Sequence, residues 1–514
     1  MPGFREYYGL AHEDESRSPM PGLTSNLTAS GSGNNMDCSR SSARYAFLCV
    51  FGFALLLLFW KAMIVFGNPS FKGDAAVRML SAARPIARMG NRVWLPYLQI
   101  QIWGLAKLGI PYPYFNLIPC LHLFLATLGL GLLGLRFLGR DRRSLLISLI
   151  FMFCFAQQQV IGRISSVLLQ EITAIALFYL LVHGGALELA KRRWMLAAGA
   201  AALLARDSVW IYLISLTLLN WRTILSDIRY RRCFAILWTI PPLWLAAVFC
   251  GWGVFEGRFP SFRTEWPLMI NKEANQAVSS LTASLQHLWK SALESRVHYL
   301  VFAGLAAWLI HAIESKHLRM RSMEAAGFAR HLRSFTLLSL SICYGHIFLF
   351  DPWQLTSGSG RMFTPIIEQC FLWFLLAAAA ARFYRPAART VTMTVLLAGM
   401  LASLDVERKD WIPAPNSVKV SAYEEIAARV NAAAPGRRPM ACMIGNYFYE
   451  MSDYSAAVYR ASHKLLPIGL QRIPDDCDAL FTAYENEPND PGELVREKEY
   501  RLDDRHYVLF VRRR

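Results

Sequence analysis

Residues 46–66 read AFLCVFGFALLLLFWKAMIVF, an apolar run broken by one charge, Lys61. As a helix it is long enough to span a bilayer core of about 30 Å. Reading outward from it, further apolar blocks lie near 115–136, 144–157, 167–183, 194–205, 208–219, 233–252, 297–313, 334–350, 364–381 and 390–404, eleven in all. Hydrophobic residues make up 54% of the 514 positions and charged ones 18%, below the roughly 25% charge of a soluble domain; the mean hydropathy is +0.28. A soluble globular enzyme, a disordered chain and a small disulfide scaffold are excluded. The pattern predicts a polytopic α-helical membrane protein with about eleven transmembrane helices.

The gaps between blocks fix an orientation. Lys and Arg total 54 against 37 Asp and Glu, a net charge of +17, and the surplus is not spread evenly. One alternating set of gaps carries Arg136/Arg140/Arg142/Arg143, Lys191-Arg192-Arg193, Arg222/Arg229/Arg231/Arg232, Lys316/Arg319/Arg321/Arg330/Arg333 and Arg382/Arg385/Arg389. The opposite short gaps hold only Arg163, Arg206 and Arg361. By the positive-inside bias the amino terminus is cytoplasmic and the carboxyl terminus lies on the far side. The short blocks 194–205 and 208–219 count as two crossings, because one crossing breaks the alternation. Residues 1–43, rich in Gly, Ser and Asn, are expected to be a disordered cytoplasmic tail. The segments 67–114 and 253–296 and the tail 405–514 fall on the non-cytoplasmic side. Basic gaps placed this way serve topology, and no nucleic acid partner is expected. High Ala and Arg with few Lys points to a bacterial cytoplasmic (inner) membrane.

The tail reads as a small α/β domain on the non-cytoplasmic side. Residues 419–433 suit an amphipathic helix ended by Gly436, and 439–445, 479–484 and 507–511 suit strands. Seven of the ten cysteines sit in or beside apolar blocks, where Cys acts as a small hydrophobe. Cys442 and Cys477 share the tail, and whether they bond depends on a Cα spacing that sequence does not give. Asp476-Cys477-Asp478 matches a DxD triplet in form only, with no glycine pattern before it.

Charges at span edges are costly and so mark function. On this topology Asp74, Arg78, Arg163, Glu171, Arg206, Asp207, His346, Asp351 and Arg361 all fall at outer ends of spans or in outer loops. A conduction path needs acids near mid-span; this set gathers at one interfacial depth. Carboxylates and guanidiniums together suit transfer from an anionic lipid. When a sugar leaves a polyprenyl phosphate, charge grows on the departing phosphate, where an arginine fork stabilises it. A nearby carboxylate can take the acceptor's proton. In the segment after span one, Asp74 can cap a helix, Pro85 can open a second, and Arg84, Arg88 and Arg92 share one helical face. That face either rests on anionic headgroups or meets the donor phosphate.

These stretches resemble the polytopic C-type (GT-C fold) glycosyltransferases, such as the protein O-mannosyltransferases and the aminoarabinose transferase of lipid A. The resemblance rests on Gly73-Asp74 after an apolar span, the later Gly90 and Pro96-Tyr97, Leu204-Ala205-Arg206-Asp207-Ser208 between two short spans, Arg163 to Glu171, and Gly360-Arg361-Met362-Phe363-Thr364-Pro365. It covers roughly 46–404 and implies a GT-C-like domain over 44–404, with outer loop 67–114 carrying the catalytic Asp. It further implies a polyprenyl-phosphate sugar donor, inversion, Asp74 as base, and Arg361 at the donor phosphate or in a structural role. Arg78, Arg84, Arg88, Arg163, Glu171 and Arg206 complete the expected substrate-binding set, Glu171 alternatively pairing with Arg163. The acceptor is an extracytoplasmic glycan, lipid or protein, and membrane lipids are standing partners. Many relatives have an Asp-Glu pair in this loop, whereas Ala75 follows Asp74 here; no cofactor is assigned, and a divalent metal stays open. Two other readings compete: a transporter or lipid flippase that binds anionic cargo at its outer face, and a catalytically silent subunit whose tail binds a partner.

Overall fold

The computed structural model describes residues 32–67, 97–110, 114–115, 117–158, 199–201, 203–204, 213–214, 217–218, 221–222, 224–256, 298–318, 364–404, 417–444, 458, 460–502 and 505–512. Its longer helices are α1 (Ser32–Gly67), α2 (Tyr97–Lys107), α3 (Leu117–Phe137), α4 (Arg142–Gln158), α5 (Ile228–Glu256), α6 (His298–Leu318), α7 (Thr364–Ala381), α8 (Pro386–Ser403) and α9 (Ser417–Ala432). Among the described residues Arg44–Ile64 and Leu117–Phe137 are long and apolar enough to cross a membrane. The blocks 167–183 and 334–350 lie outside the described residues, as does most of 194–205 and 208–219.

One expectation is corrected. Helix α1 starts at Ser32, so the last twelve positions of the segment expected to be disordered are helical. Once the apolar span has nucleated the helix, each further turn adds a hydrogen bond without a new nucleation cost. The Ser- and Asn-containing stretch is carried along from its carboxyl side.

The helices pack in two groups around α7. Helix α1 lies on α3 and α4, helix α6 lies on α7 and α8, and α7 reaches α3 and α4. From Cys370 to Ala381 every residue of α7 is buried, which explains why this stretch is apolar on all sides. Close approach depends on small residues. A Cβ on Gly304 of α6 would meet the Trp373 ring of α7 at 2.5 Å, so this position accepts only glycine without a shift of the indole. Three buried or half-buried Ser and Thr hydroxyls are satisfied within their own helices: Thr127 donates to the Leu123 carbonyl at 2.8 Å, Ser148 to Ser144 and Thr392 to Ala388.

The carboxyl-terminal domain is a five-stranded mixed sheet of order β2-β1-β3-β5-β4, with β1 Met440–Ile444, β2 Ser462–Leu466, β3 Ala479–Ala483, β4 Leu494–Leu502 and β5 Arg505–Arg512. Strand β1 runs parallel to β2 and β3; β5 runs antiparallel to β3 and β4. Alternation divides the side chains into two cores. On one face Ala441, Met443, Phe481, Leu509 and Val511 pack under Tyr423, Ile426 and Val430 of α9. On the other, Cys442, Ile444, Leu480, Val508 and Phe510 pack against Leu466, Ile473 and Cys477. Cys442 and Cys477 form a disulfide, their Cα atoms 5.8 Å apart.

Strands β1, β3 and β5 and helix α9 coincide with the segments read from the sequence. Strands β2 and β4 were not legible there. The DxD-like triplet is structural: Asp476 takes an ion pair from Lys464 at 2.8 Å, Cys477 is in the disulfide, and Asp478 accepts from the Met440 N–H and from Arg437.

Candidate functional site

Helix α2 lies in the segment that follows the first span, directly after the Arg84/Arg88/Arg92 stretch and Pro96. It stops at Gly109, which takes the left-handed φ of +78° that suits glycine. The Ile110 N–H then reaches back to the Leu105 carbonyl at 3.1 Å. With its ends set in this way, the helix makes contacts on two sides.

At its amino-terminal end Tyr97 joins three segments. Its backbone N–H donates to the Leu204 carbonyl at 3.2 Å. Its hydroxyl lies 3.1 Å from His122 Nε2 on α3. His122 Nδ1 lies 2.8 Å from the Ile118 carbonyl, an acceptor only, so the ring proton sits on Nδ1 and Nε2 accepts from the tyrosine. The imidazole is therefore a neutral acceptor in a site only 6% exposed. Burial pushes the Tyr97 phenol above its ordinary value, against a smaller opposing effect of Gln101, so the phenol stays a donor at neutral pH.

On its other side α2 contributes to the core of the carboxyl-terminal domain. Ile102, with Phe115 just before α3 and Ile118 in its first turn, joins Tyr423, Ile426 and the sheet in one buried cluster. The Arg460 guanidinium stands 3.8 Å from where a Cβ on Gly109 would be. The domain, helix α2 and the amino-terminal end of α3 thus meet in one place.

The opposite helix ends carry a different cluster. Glu314 of α6 is buried, and Arg385 donates to its Oε1 through Nε at 2.9 Å and Nη2 at 2.6 Å, and to Oε2 through the backbone N–H at 3.3 Å. This contact raises the Arg385 pKa further, led by the hydrogen bond. Beside it, the Tyr384 hydroxyl and His311 Nδ1 are 2.5 Å apart.

Asp74, Arg78, Arg84, Arg88, Arg163, Glu171, Arg206 and Arg361 all lie outside the described residues. The residues next to two of these stretches are described: Tyr97 after the first arginine run and Leu204 before Arg206, and these two are bonded. Among the described residues no group of three His, Cys, Asp or Glu is placed to hold a metal ion. Sequence reasoning assigned no role to Lys61, which breaks the first span, and passed over His122 and Glu314; each is a polar side chain buried within a helix of the bundle. For Lys61 and His122 the available signal was one ionisable residue interrupting an apolar run.

The chain is similar to two crystal structures of ArnT from Cupriavidus metallidurans. The apo structure is 12% identical, with a TM-score of 0.40 over 91% of this chain and 98% of that one. The structure bound to undecaprenyl phosphate is 13% identical, with a TM-score of 0.38 over 93% and 98%. No family model matches the chain, and no curated protein matches it.

Proposed function

We propose that this protein is an integral membrane glycosyltransferase of the C type, which moves a sugar from a polyprenyl-phosphate carrier to an acceptor on the non-cytoplasmic side. The acceptor hydroxyl gives its proton to the Asp74 carboxylate and its oxygen attacks the anomeric carbon. The bond from that carbon to the phosphate oxygen breaks, and its electron pair leaves with the phosphate. Attack from the face opposite the leaving group inverts the anomeric centre. Arg361, Arg163 and the Arg84/Arg88 face neutralise the charge that grows on the phosphate. Arg78, Glu171 and Arg206 complete the rim of the site.

The observation that supports this reading is the Tyr97 junction. It bonds the end of the Asp74-bearing outer segment to Leu204, two residues before Arg206, beside the outer end of α3. A shared pocket needs such a convergence, since these residues are more than a hundred positions apart in the chain. The disulfide in the tail adds support for the orientation, because such bonds persist in oxidising compartments. On this reading the carboxyl terminus lies outside and the amino terminus in the cytoplasm of a bacterial inner membrane.

The test is Asp74→Asn. Asparagine keeps a helix cap but cannot accept the proton, so transfer from a polyprenyl-phosphate sugar should fall below detection while abundance and membrane insertion stay unchanged. Activity equal to the parent's overturns the assignment.

A further inference from the structure

Two loops on the side opposite the Tyr97 junction clasp each other. One joins α3 to α4 and carries Arg140, with Arg142 and Arg143 directly after it in the first turn of α4; the other joins α7 to α8 and carries Arg382 and Arg385. The Arg382 Nη1 donates to the Phe137 carbonyl at 3.3 Å, across 245 residues of chain, and Gly139 lies beside the same guanidinium. Arg389 in turn donates to the Arg382 carbonyl at 3.0 Å.

The acids on this face are already engaged. Asp141 holds the start of α4 through the Ser144 N–H at 3.3 Å and the Ser144 hydroxyl at 2.5 Å. Glu314 is taken by Arg385. Arg140, Arg142, Arg143, Arg382 and Arg389 are all exposed and form no salt bridge with a carboxylate among the described residues. Five guanidiniums thus face one exposed carboxylate, beside the apolar flanks of α3 and α4.

We propose that this face is a binding site for the phosphodiester headgroup of an anionic phospholipid, with the acyl chains lying along α3 and α4. Guanidiniums bind phosphate through paired N–H donors, and basic clusters at helix ends on the cytoplasmic side attract anionic lipid. Topology alone needs basic charge somewhere in each loop; it does not need two loops joined so that their arginines form one surface. The proposal is independent of the glycosyltransferase reading.

The experiment reconstitutes the full chain in nanodiscs of equal phosphatidylglycerol and phosphatidylcholine, extracts it with mild detergent, and counts the retained lipids by native mass spectrometry. The parent should retain phosphatidylglycerol in roughly tenfold preference, the scale of one strong charge-assisted bond. The R140K/R143K/R382K variant keeps every charge, and so the orientation, but loses the forks; most of the preference should go. R231K/R232K, on exposed positions of α5, should keep it. If the triple variant aggregates, R382K alone carries the test with a smaller drop. Equal retention of both lipids by the parent, an unchanged preference in the variants that lose the forks, or an equal loss in the α5 control each overturns the proposal.

Discussion

The two ends of the helix bundle share one kind of joint and differ in a second. At the Tyr97 end, a phenol, a neutral imidazole and a backbone carbonyl join three segments, and a folded domain packs against them. The Glu314 end also has a phenol–imidazole pair, Tyr384 with His311, but adds to it an ion pair between neighbouring helices, surrounded by exposed arginines. Burying ions carries a desolvation cost of several kcal/mol, and neutral hydrogen-bonded groups avoid most of it. A junction whose job is to fix the relative placement of distant segments is therefore better built from neutral partners. Charges at the other end can stay near water and set orientation.

The largest effect is expected in the domain that covers the first end. The Cys442–Cys477 disulfide closes a loop of 35 residues, and replacing both cysteines by serine should cost the domain about 3–4 kcal/mol. Thermal unfolding of the full chain, with and without reductant, reads this out: the parent should fall to the variant's value when reduced. The same pair tests the assignment of sides. In intact cells neither thiol should react with a maleimide until a reductant is added. Labelling without reductant breaks the contrast at its root, because it puts the domain in a reducing compartment.

The second effect belongs to the ion pair. The Glu314 side chain is 3% exposed and that of Arg385 is 53% exposed, so the cost of separating them is unequal. Arg385→Ala leaves a buried carboxylate without its guanidinium and should cost about 2–3 kcal/mol, below the range for fully buried pairs. Glu314→Gln removes the buried charge and keeps an acceptor for the Arg385 N–H, so its cost should be less than half as large. A double-mutant cycle on unfolding midpoints in detergent measures the coupling. Equal costs for the two changes would show that burial of the acid does not govern this end.

Some of this contrast could be read from the sequence. Helix α7 was legible because it is buried on every side from Cys370 to Ala381, and continuous burial writes a continuous apolar run over those positions. Strands β1, β3 and β5 were legible for the same reason. Strand β4, LVREKEYRL, was not: Arg496, Lys498 and Glu499 line an edge of the sheet, and such charges prevent edge-to-edge pairing while hiding the strand period. His122 and Glu314 were hidden for another reason. His122 is a single polar residue in an apolar run and Glu314 stands just past the end of one, and the meaning of each lies with a partner 25 or 71 positions away. The candidate site charges were grouped as a set only through the topology read from the sequence, which predicts a common side for them but not which of them touch.

The third effect sharpens the role of the neutral junction. Tyr97→Phe deletes one hydroxyl and leaves the His122 acceptor unpaired, for about 1 kcal/mol. If the junction positions the Asp74 segment, transfer by this variant should fall several-fold through kcat, with KM for the lipid donor little changed. His122→Gln, which offers an acceptor on a shorter side chain, should restore part of the Tyr97 contact that His122→Leu removes. A Tyr97→Phe variant with lowered stability and full kcat would confine the bond to a structural role.

The smallest effect contrasts ion pairs in water with the one at Glu314. On the domain surface Glu425 accepts from Lys498 at 2.8 and 2.9 Å and from Arg429 at 2.9 Å. These contacts, Lys498 first, hold its carboxyl below the ordinary value of 4.5. A depressed folded pKa contributes stability that is present above the unfolded value and is lost as pH falls through the folded one. Acid unfolding of the domain should therefore steepen below about pH 4.5, and Glu425→Gln should flatten that part of the curve. The Glu425 side chain is 34% exposed and that of Lys498 44%, so the contribution is a few tenths of a kcal/mol. It should fade in 0.5 M salt, where screening acts over only a few ångströms, whereas the Arg385→Ala cost should persist there, because water and counterions do not reach Glu314. Equal salt sensitivity of the two would mean that burial does not separate them.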